Sequence, residues 1–329
     1  MGSVYRAFDP NLRRVVAVKT LKIEGDANEL PILKERFIRE AQNAGNLSHP
    51  HIVTIFDSSA DEVPAYIVME LIEGKNLRQC LKEHRAMPLD ERLRMLMETA
   101  NALDYAHSKF VIHRDVKPEN IMIREDGIVK LTDFGIAKSL ESSGTHNTLT
   151  EAGMIAGTPQ YVPPEALIGK PWGPRGDQFS LAVVTFEVLL GRKPFHGATI
   201  YALFEQVRNG EPPQIREISR AFPESAYTAL IRALRKTPEE RYPSCVLFVK
   251  ALEKELRSFE DYPAVLQELA EETELWERLK GTRDLEAIRD YVARYPESPF
   301  RTAAMEKLND LELEDAAWDA AVEAGTERA

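Results

Sequence analysis

The feature of this chain that most restricts its fold is the order of its textures: strand-like runs come first, and helix-like runs follow. VVAVKTL, IVTIFDSS and AYIVMELI are short, rich in β-branched residues and bounded by turn residues, which predicts strands. PILKERFIREAQNAGNL lies between the first two, with a proline near its start and apolar residues three or four apart, and predicts a helix. From about residue 76 the spacing is helical in LDERLRMLMETANALDYAHSK, DQFSLAVVTFEVLLG and IYALFEQVRNG. Strands followed by helices imply an α+β body, with a small β-rich lobe over about 1–74 and a larger helical lobe over about 75–258. Residues 136–164 lack periodicity and are rich in Ser, Thr and Gly, and a loop that long inside a compact domain is usually functional.

The charge separates a second region. Residues 259–329 carry 19 Asp and Glu against 8 Lys and Arg, which equals the net charge of −11 for the whole chain of 329 residues. Residues 1–258 are therefore balanced, and the acidic excess belongs to a helical tail. That tail restarts a pattern, with LWERLKGTRDLEAIRDY at Trp276 and AWDAAVEAGTERA at Trp318, 42 residues apart, as in a partial array of helical repeats. Such arrays are stable from about three units upward, so the expectation is a longer natural chain or a tail that leans on the first domain. No basic, aromatic-interleaved stretch points to nucleic acid. FSLAVVTFEVLLG is too short to span a bilayer, and no signal-peptide pattern opens the chain. Cys80 and Cys245 stand in no metal or redox spacing, which favours a reducing compartment, hence a cytoplasmic location, with an anchor outside these residues left open.

Inside the helical part three polar strings follow in order: HRDVKPEN at 113–120, DFG at 133–135 and PPE at 163–165. Upstream lie AVK, with Lys19, and a helix carrying Glu40. Taken singly, Lys19 is a solvated strand lysine, Glu40 part of a wet helix face and DFG a common loop tripeptide. Taken together and in this order, the set resembles the protein-kinase signature over residues 1–258. The resemblance is to eukaryotic-like (Hanks-type) bacterial serine/threonine kinases. It implies a bilobal kinase fold and transfer of the ATP γ-phosphate to protein Ser/Thr hydroxyls.

The resemblance also implies roles. Lys19 would contact the α/β-phosphates, held by an ion pair with Glu40. Asp115 would orient and deprotonate the substrate hydroxyl, Lys117 would reach the γ-phosphate, and Asn120 and Asp133 would bind Mg²⁺, or Mn²⁺ in its place. Met69 would stand behind adenine, backbone groups of Glu70 and Ile72 would bond the base, and Val4, Ala17 and Met122 would sandwich it; those three read equally well as plain apolar core. Phe134 and His113 read as packing. Thr158 of GTPQYVPPE would dock substrate near Asp115 and Lys117. Glu165 would pair with Arg241, and Asp177 would cap the catalytic loop from below, both as structural contacts. Arg114 would receive an activation-loop phosphate on Thr150, or second on Thr148.

The opening MGSVYRAFDP matches only the end of the family's glycine-rich loop, with Gly2 and Val4 as its last glycine and valine. The expectation is a truncated loop and weakened ATP binding. A competing reading is a kinase-fold scaffold with little catalysis that binds a protein partner through its tail; a small-molecule phosphotransferase is disfavoured by the protein-docking segment.

Overall fold

The computed structural model describes residues 3–21, 29–83, 87–134, 159–215, 222–258, 271–272, 274–295, 298 and 300–326. The chain divides into two compact units, one of Met1–Pro212 with Glu224–Ser258, the other of Pro213–Pro223 with Phe259–Ala329.

The first unit begins with a four-stranded antiparallel sheet of β1 (Val4–Asp9), β2 (Arg14–Leu21), β3 (Ile55–Ser59) and β4 (Ala65–Glu70), in the order β1-β2-β4-β3. Between β2 and β3 runs α1 (Glu29–Gly45), whose Leu33, Phe37, Ala41 and Ala44 are buried; their spacing of three and four puts them on one helical face. IVTIFDSS forms a strand only from Ile55. Ile52 instead makes a parallel bridge to Leu131, the Val53 N–H donates to the Leu131 carbonyl at 3.0 Å, and the Leu131 N–H donates to His51 at 2.9 Å. The first residues of that run thus leave the sheet to tie the small lobe to the large one.

The large lobe opens with a small sheet, β5 (Gly74–Asn76), β6 (Ile121–Arg124) and β7 (Val129–Leu131), that carries the catalytic-loop region between its strands. Its helices are α2 (Leu77–Lys82), α3 (Leu89–Ser108), α4 (Pro164–Leu167), α5 (Pro174–Leu190), α6 (Ile200–Asn209), α7 (Glu224–Ala233) and α8 (Cys245–Arg257). The starts follow local chemistry. Asn76 and Gln79 form a reciprocal capping box on α2, and the Thr199 and Ser244 hydroxyls accept the first free N–H groups of α6 and α8. α5 is the hub: every residue from Gly176 to Leu190 is buried, its few polar side chains included, so it has no solvent-facing stripe. It stops at Gly191, which takes φ 68° and so adopts the left-handed cap that a side chain would disfavour.

The second unit contains a short helix at 274–279, α9 (Leu285–Arg294) and α10 (Arg301–Thr326). Trp276, Leu279, Tyr291 and Ala304 form its core, with the Trp276 ring 5.5 Å from Tyr291 and stacked 6.1 Å from Phe300. Trp318, the start of the sequence repeat, falls within α10, so one helix closes the first unit of the pattern and opens the next.

Candidate active site

The loop that carries HRDVKPEN is pinned from beneath by one carboxylate. Asp177, in the first turns of α5, has no exposed surface; its Oδ2 accepts the His113 N–H at 2.8 Å and its Oδ1 accepts the Arg114 N–H at 2.9 Å. The Trp172 indole N–H adds 3.1 Å to Oδ1, and His107 Nε2–H donates to Oδ2 at 2.8 Å. Burial alone would raise the Asp177 pKa, but the His107 hydrogen bond and charge hold it below the usual carboxylate value. His107 responds in the opposite sense: burial pulls it down, while Asp104 and Asp177 lift it to about 9. These anchors hold Arg114 at φ 60°, a conformation a non-glycine residue keeps only when its surroundings impose it.

Above this frame, the side chains singled out in the sequence converge. Asp115 Oδ2 lies 2.7 Å from Lys117 Nζ and accepts the Asn120 amide N–H at 2.9 Å. A second Asn120 N–H donates to the Asp115 carbonyl at 2.8 Å, so the amide nitrogen is committed and the amide oxygen is left as the ligand atom. His113 is fully buried, its ring bonds the Thr132 carbonyl at 2.9 Å and packs 4.5 Å from Phe134, and burial lowers its pKa. Asp133 takes φ 63° next to that contact.

The small-lobe side departs from the expectation. The Lys19 ammonium is bound by Asp133 Oδ1 at 2.7 Å, and not by Glu40. Glu40 Oε1 instead faces Arg114 Nη1 at 3.9 Å. Each carboxylate thus has its cation: Asp133 holds the Lys19 ammonium, and Glu40 of α1 faces the catalytic-loop arginine. Lys19 on β2 sits opposite Val4 of β1 and Ile67 of β4, and Ala17 lies buried opposite Met69. Lys19, Met69, Val53, Ile67, Asp133 and Phe134 line one small pocket. The Glu70 N–H donates to the Thr54 carbonyl at 2.8 Å, so a base contact from Glu70 would have to use its carbonyl. Ile72 is half-buried just after β4, and Met122 on β6 pairs with Asn76. Gly2, Thr148, Thr150 and Thr158 lie outside the described residues.

Glu165 and Arg241 meet as a bidentate pair, at 2.8 and 2.7 Å, with the Arg241 side chain wholly buried. A second buried cluster had no place in the sequence reading. Arg78 of α2 reaches Glu119 at 2.9 Å, Glu187 of α5 at 2.5 Å and the Tyr161 hydroxyl at 2.5 Å, while that hydroxyl donates to Glu187 at 2.6 Å. Burial and the Glu187 carboxylate push the Tyr161 hydroxyl far above its ordinary pKa. Glu187 was the available signal, as the one acid inside the otherwise apolar run FEVLL. Likewise Lys130, buried in β7, pairs with Glu70 at 2.9 Å.

The family described as Protein kinase domain matches residues 1–255. A probable serine/threonine-protein kinase of Clostridium perfringens is 37% identical over 77% of this chain and 36% of its own length. The serine/threonine-protein kinase PknB of Mycobacterium tuberculosis is 39% identical over 74% of this chain and 39% of its own. The chain thus spans well under half the length of these curated relatives. Among solved structures, the M. tuberculosis PknI kinase domain superposes with TM-score 0.62 and 28% identity, over 78% of this chain and 90% of that one. Rad53 1–466, solved in complex with AMP-PNP, gives TM-score 0.61 and 25% identity over 76% and 62%.

Proposed function

The chain belongs to the protein kinase family, and from that premise we propose that it transfers the γ-phosphate of ATP to serine or threonine hydroxyls of protein substrates. The observation that carries the reading is the Asp115 carboxylate, held at 2.7 Å by Lys117 and 2.9 Å by Asn120 on a loop with a buried anchor. Asp115 accepts the substrate hydroxyl's proton and aims its oxygen; Lys117 stabilises the charge that grows on the transferred group. The donor set fits a hard cation, because the Asn120 amide oxygen and the Asp133 carboxylate are the ligand types Mg²⁺ prefers. Mg²⁺ would neutralise phosphate charge there. Lys19 holds the α/β-phosphates, and the strand after Met69 supplies backbone groups to adenine.

Residues 1–258 form the catalytic domain, in this reading, and 259–329 a separate helical module that binds a protein partner. Arg114 belongs to its regulation, with Thr150 or Thr148 carrying the activating phosphate, and Glu40 partners Lys19 when nucleotide is bound. The free Cys80 and Cys245 suit a reducing, cytoplasmic compartment. Among the described residues no helix is long and apolar enough to cross a membrane. The test is transfer of labelled phosphate from ATP to a generic protein substrate, with Asp115→Asn alongside. Transfer by the wild-type chain that vanishes in the variant is expected; equal incorporation by both would overturn the proposal.

A further inference from the structure

Beneath the catalytic loop, three side chains of different chemistry share one small volume. Asp104 and His107 come from α3 and Cys245 from the first position of α8, and their ligand atoms all lie within 4.8 Å of one another. We propose that Asp104, His107 and Cys245 form a binding site for one thiophilic divalent cation of the Zn²⁺ class.

The donor set is suited to such an ion, which favours thiolate, imidazole and carboxylate together. The imidazole is already oriented for it. Its Nε2 is engaged by the buried Asp177 carboxylate at 2.8 Å, while Nδ1 faces Asp104 at 3.8 Å. A ring nitrogen fixed by a carboxylate, with the other turned to the cation, is the usual outer support of a zinc-binding histidine. Asp104 caps α8 through the N–H groups of Cys245 at 2.9 Å and Val246 at 3.0 Å. Each of its oxygens accepts one such bond and keeps electron density for a metal. The Asp104 side chain is 23% exposed and so gives the ion a way in.

Binding requires modest closure, since bonds of about 2.0–2.3 Å in a tetrahedral site bring donors to roughly 3.5 Å apart. Charge does not oppose it. Without metal, two carboxylates share a protonated His107 beside a Cys245 thiol that burial keeps protonated. On binding, the thiol and the imidazolium each release one proton to solvent, and one divalent cation replaces them. The formal charge of the buried cluster is unchanged, so the exchange adds no buried charge for the fold to solvate.

The site does not depend on phosphotransfer, and the test is spectroscopic. The reduced, metal-free full chain is titrated with Co²⁺ in the absence of nucleotide, following the sulfur-to-cobalt charge-transfer band. One equivalent should saturate the band, excess Zn²⁺ should bleach it, Cys80→Ala should keep it and Cys245→Ser should lose it. Co²⁺ at Asn120 and Asp133 brings no sulfur and gives no such band. No band in the wild-type chain, or one that survives Cys245→Ser or follows Cys80, overturns the proposal. Should Cys245→Ser fail to fold, X-ray absorption of the Zn²⁺-loaded wild-type chain decides. One sulfur at about 2.3 Å supports the site, and a shell of nitrogen and oxygen alone refutes it.

Discussion

The two halves of the candidate active site are held on opposite terms. On the large-lobe side, Asp177, His113 and Asn120 are buried, and their bonds run to backbone groups and to neighbouring side chains, His107 and Trp172 for Asp177 and Asp115 for Asn120. On the small-lobe side, Lys19 and Glu40 are themselves only 17% and 18% exposed, but their partners Asp133 and Arg114 are more open, at 34% and 49%. Breaking a contact in the first half strands a charge or an N–H away from water, whereas in the second the more open partner, Asp133 or Arg114, can turn to water. The catalytic loop is therefore set before any ligand arrives, and the phosphate-facing side is free to change partners. Four measurements test that contrast.

The largest effect belongs to the fixed half. Asp115→Asn keeps the shape and the bonds that hold the loop, but removes the proton acceptor. Phosphotransfer should fall by about 10²–10⁴-fold with the melting temperature unchanged. A variant within a few-fold of wild type would show that the preset carboxylate is not the working group.

Next comes the buried brace of the same half. Glu165→Ala leaves the Arg241 guanidinium with no counter-charge in a place without water, and should cost about 3–5 kcal/mol in chemical denaturation. Replacing both residues with apolar ones should recover much of that loss, since the penalty lies in the orphaned charge more than in the lost pair. A single-variant cost below about 1 kcal/mol would place this contact with the small-lobe pairs.

The same contrast explains what could be read from the sequence. The catalytic loop is one short string, so once HRDVKPEN was matched to the kinase signature, Asp115, Lys117 and Asn120 came together. Contacts between distant segments were legible only where a resemblance carried them, as for Glu165 with Arg241. Arg78 with Glu119, Glu187 and Tyr161 joins separate elements and has no local period to betray it. Nor could the sequence choose a partner for Lys19. Glu40 and Asp133 are both carboxylates, and no local pattern says which of them the fold brings to Lys19. The strand at Ile52 was overextended for a related reason: a β-branched run shows that residues are buried, but not against which lobe.

The pH dependence of stability comes third. His107 has its pKa raised from 6.5 to about 9 by its two carboxylates, so the folded state binds a proton more tightly than the unfolded chain. Its contribution is fully present below about pH 6.5 and is lost as pH rises through about 9, on the order of 3 kcal/mol in all. Asp177 and Asp104 have lowered values, so their contribution holds above the ordinary carboxylate range and is lost on acidification through those lowered values. Denaturation between pH 6 and 10 should show stability declining in the wild-type chain and a flatter profile in His107→Gln. Identical slopes in both would mean that His107 does not carry the charge.

The smallest effect on folding separates the halves most sharply. Glu40→Gln keeps the shape of a side chain that is 18% exposed and removes only its charge, which faces Arg114 across a long 3.9 Å, so stability should change by less than about 1 kcal/mol. Activity should behave differently. If Lys19 leaves Asp133 for Glu40 when phosphates and a cation claim Asp133, the neutral amide removes a charge-assisted bond worth about 1.5–3 kcal/mol, and transfer should fall roughly tenfold or more. Nucleotide affinity and turnover measured together would show whether the loss lies in binding or in the chemical step. Wild-type turnover in Glu40→Gln would mean that Lys19 works from its pair with Asp133. The small-lobe half would then be as fixed as the loop it faces.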